Sequence, residues 1–86
     1  MQFDVRYAQT AFKHGINEKD ILHAIKMCVH DGLMENANDV YLLIGIDTTA
    51  RPLEIMYRKV GKNGMFVFHA MQCRKKYYKY LKGGLK

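Results

Sequence analysis

The sequence predicts an α+β protein, with a small antiparallel sheet of three or four strands, two helices before it and a basic helix after it. Three patterns predict this class: a helical apolar period from Ile21 to Val29, strand-like patterns at residues 40–46 and 53–60, and a helical period after Ala70. Consecutive strands joined by short turns pair antiparallel, so we expect the helices to pack on a meander.

The length and composition predict one domain over residues 1–86. The chain has 86 residues, one proline and no Ser/Gly-rich stretch, and 49% of its residues are hydrophobic. No apolar run approaches the roughly 18 residues of a membrane span, and no signal-peptide pattern is visible. We therefore expect a cytoplasmic protein without membrane association, in which Cys28 and Cys73 are buried, reduced thiols.

Two helices are expected in the first third of the chain. Residues 7–13 are good helix formers ahead of Gly15, which predicts a short first helix. Asn17 is expected to cap the second helix, and Asp20 places a carboxylate in its first turn. This helix is expected to end at residues 31–32.

The second half predicts three strands and the last helix. Residues 40–46 are apolar on both faces, residues 53–60 alternate, and residues 65–69 follow a glycine-rich turn. The last helix is expected to begin at Ala70 and to end at residues 83–84. Its predicted buried face carries three residues at helical spacing: Cys73, Tyr77 and Leu81.

The charge is divided unevenly along the chain. Residues 1–50 contain four basic and seven acidic residues, a net charge of −3. Residues 51–86 contain ten basic residues and only Glu54 as an acid, a net charge of +9. This asymmetry predicts a positive face that attracts a polyanion or an acidic protein, and nucleic acid is the first expected partner.

Residues 74–82 interleave basic side chains with three tyrosines and contain no acid. Cations neutralise phosphates and aromatic rings stack on unpaired bases, so this composition suits single-stranded RNA. The alternative is a solvated, lysine-rich outer face of a helix that packs its tyrosines on the core. The candidate RNA-binding residues here are Lys75, Lys76, Lys79 and Lys82.

His69 is the leading candidate for acid–base chemistry, because an imidazole beside dense positive charge suits proton transfer near neutral pH. RNA cleavage by the 2′-hydroxyl needs a proton acceptor, a proton donor and cations around the phosphorane, and it requires no metal. The alternative is a histidine that only hydrogen-bonds a neighbour on the sheet. The candidate catalytic residues are His69, Arg58, Arg74 and Tyr78.

The other histidines give weaker signals. Lys13 and His14 stand at the end of the first predicted helix, where the helix dipole favours cations, and phosphate binding is the alternative role. His23 and His30 are seven residues apart, which is not a metal-ligand spacing. No glycine-rich nucleotide motif or nucleophile motif is present. We therefore predict neither a metal site nor a cofactor.

Two segments of the chain, residues 12–21 with their Lys-His-Gly sequence and residues 66–78 with their basic ending, resemble the BrnT-like toxins of bacterial toxin–antitoxin modules. Residues 12–21, FKHGINEKDI, resemble the "KHGIS-x-x-[DE]" start of that family. Residues 66–78, FVFHAMQCRKKYY, resemble its "R-x-I-S-A-R-[KR]-A-[ST]-[KR]-R-E-x-x-x-Y" ending. His69 stands in place of the family's serine, and Met71 in place of the arginine that follows the alanine.

The resemblance implies a RelE-like fold and a ribonuclease that inhibits translation. It also implies a cognate antitoxin, a small DNA-binding protein encoded nearby, and an RNA substrate that is free or bound to the ribosome. Lys13 and His14 occupy the family's Lys-His positions. The substituted serine and arginine imply either a site built on His69 and Arg74 or a toxin without activity. The rival functions are a non-catalytic nucleic-acid-binding module and an interaction protein whose basic face binds an acidic partner.

Overall fold

The computed structural model describes residues 4–81. These residues form five strands, one α-helix and two 3₁₀ helices. In chain order they are β1 (Asp4–Tyr7), η1 (Gln9–Phe12), α1 (Glu18–Lys26), β2 (Cys28–Leu33), β3 (Tyr41–Ile46), β4 (Pro52–Val60), β5 (Gly64–Gln72) and η2 (Lys75–Leu81). None of the described helices is long and apolar enough to cross a membrane.

The strands form one mixed sheet in the order β1-β5-β4-β3-β2. Strands β3, β4 and β5 pair antiparallel, as predicted; β2 also pairs antiparallel with β3, whereas β1 runs parallel to β5. The α+β class is therefore confirmed. The predicted strand count and the purely antiparallel sheet are wrong, because two further segments complete the edges.

The first edge is β1, which lies where sequence reasoning found no clear period. Val5 pairs with Met65 and Tyr7 with Val67, so the segment gains a hydrogen-bonded ladder along β5. A four-residue alternation is too short to be distinguished from chance. The helix expected over residues 7–13 is reduced to the single 3₁₀ turn of η1.

The second edge is β2, and it corrects the predicted end of α1. The predicted cap is confirmed, since the backbone N–H of Asp20 donates to Asn17 Oδ1 at 2.8 Å. The helix, however, ends at Lys26, and residues 28–33 pair with β3. Strand pairing outweighs the helical apolar period there, and Cys28 becomes an exposed strand residue instead of a buried one.

Helix α1 packs on one face of the sheet, where Gly45 allows its close approach. A Cβ atom on Gly45 would lie only 1.8 Å from the carbonyl oxygen of Ala24. The main core fills this face and includes Ile21, Ile55 and Val67, all fully buried.

The opposite face of the sheet is covered by η2. Strand β5 continues to Gln72 because Ala70 pairs with Ile55 of β4, so the predicted helix start at Ala70 is wrong. The helix is a 3₁₀ helix that begins at Lys75.

The three residues predicted to form the buried face of the last helix pack together, although Cys73 precedes η2. Cys73 and Leu81 are buried in a second apolar cluster, and half-buried Tyr77 packs against it. The predicted end at residues 83–84 and the candidate Lys82 lie outside the described residues.

Candidate active site

A buried carboxylate organises the η2 face of the sheet. Glu54, on β4, has no exposed surface. Its Oε2 lies 2.9 Å from His69 Nε2 and 2.7 Å from Arg74 Nη2. Arg74 also donates to Glu54 through its backbone N–H, at 2.9 Å, and through Nε, at 3.1 Å. A buried charge is costly unless it is paired and hydrogen-bonded, and these contacts meet both conditions.

A β-bulge brings His69 to this carboxylate. Tyr57 pairs with Val67, but the next residue of β4, Met56, pairs with His69, so Phe68 is an extra residue in β5. Without the bulge, His69 would pair one position further along β4, and its side chain would point into the main core. The extra residue shifts the alternation by one, so the side chain of His69 points to the face of the sheet that carries Glu54.

The hydrogen bonds keep the acid ionised. Burial alone would raise the pKa of Glu54, but the bonds from His69 and Arg74 outweigh burial and lower the pKa from 4.5 to about 2. The same carboxylate raises the pKa of Arg74. An ionised carboxylate only accepts hydrogen bonds, so Nε2 of His69 must carry the hydrogen, and in the neutral ring Nδ1 is the nitrogen that can accept a proton.

A second imidazole lies beside the first. The rings of His14 and His69 are 5.5 Å apart between centroids and meet at 73°. His14 comes from the turn that follows η1, and Thr10 of η1 donates its hydroxyl hydrogen to the carbonyl oxygen of Phe68, at 2.7 Å. The segment of residues 9–14, which we call the N-terminal arm, is thus hydrogen-bonded to the bulge itself. Lys13 is exposed next to His14.

The cluster has one open side. The side chain of Glu54 is fully buried, that of His69 is 20% exposed and that of Arg74 is 43% exposed. A polyanion can therefore approach the imidazole and the guanidinium while the carboxylate stays shielded. Within residues 4–81, no three His, Cys, Asp or Glu side chains are grouped as metal ligands.

The other predicted site residues are on β4 and η2 and, among the residues that the structure describes, make no hydrogen bond to Glu54. Arg58 is exposed on β4, and its guanidinium lies 5.1 Å from the ring centre of Phe68. Tyr78 is 48% exposed on η2 and, in the described part of the chain, makes no hydrogen bond to the cluster. Three predicted RNA-binding residues of η2 are exposed: Lys75, Lys76 and Lys79.

Sequence reasoning missed the role of Glu54. One signal was present, because Glu54 is the only acid among residues 51–86 and stands between two apolar residues of a strand. An isolated acid in a basic, apolar context indicates a buried partner for a cation.

Comparisons with known proteins identify the fold. No protein-family model matches the sequence, and no curated protein matches it significantly. The chain is similar in fold to one solved structure of a small protein. The structure is the 1.1 Å crystal structure of the Brucella abortus ribonuclease toxin BrnT, with a TM-score of 0.63 and 15% identity over 86% of this chain and 100% of that chain. The predicted resemblance is confirmed at the level of the fold, which is BrnT-like.

Proposed function

We propose that this chain is the toxin of a bacterial type II toxin–antitoxin module and that it is a metal-independent endoribonuclease. The BrnT-like fold supports the toxin assignment. The observation that carries the activity is the pair of imidazoles: His69 is oriented by the buried Glu54, and His14 lies against it. General acid–base cleavage needs two such proton-transfer groups.

In this proposal each group of the cluster has a separate role. Nδ1 of His69 accepts the proton of the RNA 2′-hydroxyl, whose oxygen attacks the adjacent phosphorus. His14, in its protonated form, donates a proton to the leaving 5′-oxygen as the P–O bond breaks. The products are a 2′,3′-cyclic phosphate and a 5′-hydroxyl end. Glu54 is a positioning residue, because it fixes the ring of His69 without touching the RNA.

Cations around the site stabilise the charge that develops on the phosphorane. Arg74 is the nearest, since Glu54 holds its Nε and Nη2 while part of the guanidinium stays exposed. Arg58 and Tyr78 lie further out as contacts to the substrate, and Lys13 contacts RNA beside His14.

The charge distribution supports the proposed partners. The net charge of +9 over residues 51–86 suits RNA, free or on the ribosome, and it equally suits an acidic segment of a cognate antitoxin. In this proposal the antitoxin is a small DNA-binding protein encoded nearby, and it inhibits the cytoplasmic toxin by occupying the RNA-binding face.

The test is cleavage of a labelled RNA by the purified chain in the presence of EDTA. The wild type should produce cyclic phosphate ends, and it should leave an all-DNA strand intact because DNA has no 2′-hydroxyl. His69→Gln keeps an N–H group for Glu54 but cannot transfer a proton, so cleavage should fall about 10²- to 10⁴-fold. His14→Gln should have a similar effect.

The matched control is His23→Gln, which removes an imidazole from α1 on the other face of the sheet. There Nδ1 of His23 lies 2.7 Å from the carbonyl oxygen of Ile46, and glutamine retains a donor for that oxygen. This variant should cleave like the wild type. Full activity of both His69→Gln and His14→Gln would refute the proposed mechanism, and RNA binding without cleavage would favour the non-catalytic module.

A further inference from the structure

A second concave surface lies between the edge strand β2 and helix η2. It has a volume of about 310 Å³, and its lining includes the rings of His30, Tyr77 and Tyr80. The rings of His30 and Tyr80 stack at 3.9 Å between centroids with an angle of 24°, and Tyr77 lies 6.4 Å from Tyr80. The ring of Tyr77 also faces the guanidinium of Arg74, at 5.6 Å, and so lies between this surface and the Glu54 cluster. We call this surface the β2–η2 groove.

The groove also carries cations next to its rings. The ammonium of Lys76 lies 5.2 Å from the ring centre of Tyr77, and that of Lys79 lies 5.3 Å from the ring centre of Tyr80. Aromatic rings with adjacent cations bind single-stranded nucleic acid, because the bases stack on the rings and the cations neutralise the phosphates.

We propose that the β2–η2 groove binds one unpaired nucleotide of the RNA substrate. Its base takes the place of the Lys79 ammonium over the ring of Tyr80, which His30 covers from the other side, and its phosphate binds Lys76 and the displaced Lys79. The proposal rests on the proposed ribonuclease function and adds a base-binding subsite to it. Glu35 and Asn36 lie on the rim and offer hydrogen-bonding groups for the edge of a base.

Helix η2 connects the groove to the candidate active site. It follows directly after Arg74, which binds Glu54, and its last residues pack on the cluster that contains Leu42 of β3. Strands β5 and β2 are three places apart in the sheet, a separation of about 14 Å at the usual strand spacing. The nucleotide in the groove therefore lies on the same strand a few nucleotides from the cleaved one, and its base sets a sequence preference.

The composition of the groove favours RNA over an acidic peptide. Glu35 on the rim can accept hydrogen bonds from the amino group of a base. Planar rings provide stacking surfaces for bases, and η2 itself contains no acid.

The experiment measures binding of short RNA strands in which every 2′-hydroxyl is methylated, so that no cleavage occurs. The fluorescent base 2-aminopurine is placed at each position in turn, and its response reports stacking. For the wild type we expect a response at one position. Tyr80→Leu should abolish it and weaken binding about 5- to 150-fold, the usual range for loss of one base–aromatic stack. Tyr80→Phe keeps the ring and should bind like the wild type.

A matched pair of lysine variants distinguishes RNA binding in the groove from the general effect of positive charge on RNA binding. Lys75 and Lys79 are both exposed on η2, but only Lys79 lines the groove. Each change to glutamine removes one positive charge, so both should weaken RNA binding, and Lys79→Gln should weaken it more and reduce the 2-aminopurine response. This pair decides the question if Tyr80→Leu fails to fold, since it changes exposed side chains only.

The proposal is overturned if the Tyr80→Leu variant is folded and binds RNA like the wild type, or if the two lysine variants are equivalent. It is also overturned if Tyr80→Leu weakens binding of a polyglutamate peptide but not of RNA, because the groove would then serve a protein partner. Absence of RNA cleavage by the wild type, with Tyr80-dependent binding intact, would refute the ribonuclease function and leave the groove standing.

Discussion

Replacing Glu54 with glutamine should destabilise the protein in a strongly pH-dependent way. The pKa of Glu54 is lowered from 4.5 to about 2 by its bonds to His69 and Arg74. Each pKa unit corresponds to about 1.4 kcal/mol, so the ionised carboxylate contributes about 3 kcal/mol to the free energy of unfolding at neutral pH. Because the pKa is lowered in the folded state, this contribution is complete above pH 4.5 and is lost as the pH falls towards 2.

The substitution itself preserves shape and removes the charge. Glutamine still offers an oxygen to one donor, but its amide N–H₂ group meets the donors of Arg74 instead of accepting from them. Arg74 can partly compensate, since 43% of its side chain is exposed to water. We therefore expect Glu54→Gln to lose about 2–3 kcal/mol at pH 7 and almost nothing near pH 2.

The assay is urea unfolding followed by circular dichroism at a series of pH values between 7 and 2.5. The wild type should lose stability steeply below pH 5, and the Glu54→Gln curve should be flatter. A cycle with Arg74→Gln measures the coupling between the two side chains. Parallel pH curves for wild type and Glu54→Gln would refute the reasoning, because they would show that the pKa of Glu54 is not lowered in the folded protein.

Four further changes test the fold and the site. Gly45→Ala should lower the free energy of unfolding by about 1–3 kcal/mol, because its Cβ would lie 1.8 Å from the Ala24 carbonyl oxygen, and an unchanged urea midpoint would contradict this packing. Asn17→Ala should cost about 1 kcal/mol in the same assay through loss of the helix cap. Arg58→Ala should weaken RNA binding through loss of an exposed contact to the substrate and reduce the salt slope of binding by about 1, and unchanged RNA binding would place Arg58 outside the site. Expression of the wild type alone should arrest bacterial growth, whereas folded and equally abundant His69→Gln should not.

Local chemistry predicted the start of α1 correctly but not its end. The cap at Asn17 depends on residues within one turn, which the sequence displays directly. The end at Lys26 depends on β3, because residues 28–33 exchange helical hydrogen bonds for a ladder with that strand. The pairing partners are 8 to 17 residues away in the chain, so periodicity within the segment cannot reveal them.

The same distinction holds for the candidate site. His69 and Arg74 were predicted because basic residues and a histidine are close in sequence, and the structure places both on one carboxylate. The role of Glu54 depends on the pairing of β4 with β5, which the sequence does not specify to the residue. The bulge at Phe68 determines to which face of the sheet the side chain of His69 points. A one-residue bulge cannot be recognised in an apolar run of sequence.

The bulge also explains why the N-terminal arm belongs to the site. Thr10 bonds the carbonyl oxygen of Phe68, a few residues before His14 contacts His69. One irregularity in β5 therefore orients His69 towards Glu54 and offers the anchor that holds the second imidazole against it. Bulges are over-represented next to active sites, where they turn a side chain out of the regular alternation of the strand. In this protein the departure from regular pairing is what assembles two imidazoles, a shielded carboxylate and a guanidinium at one place on the sheet.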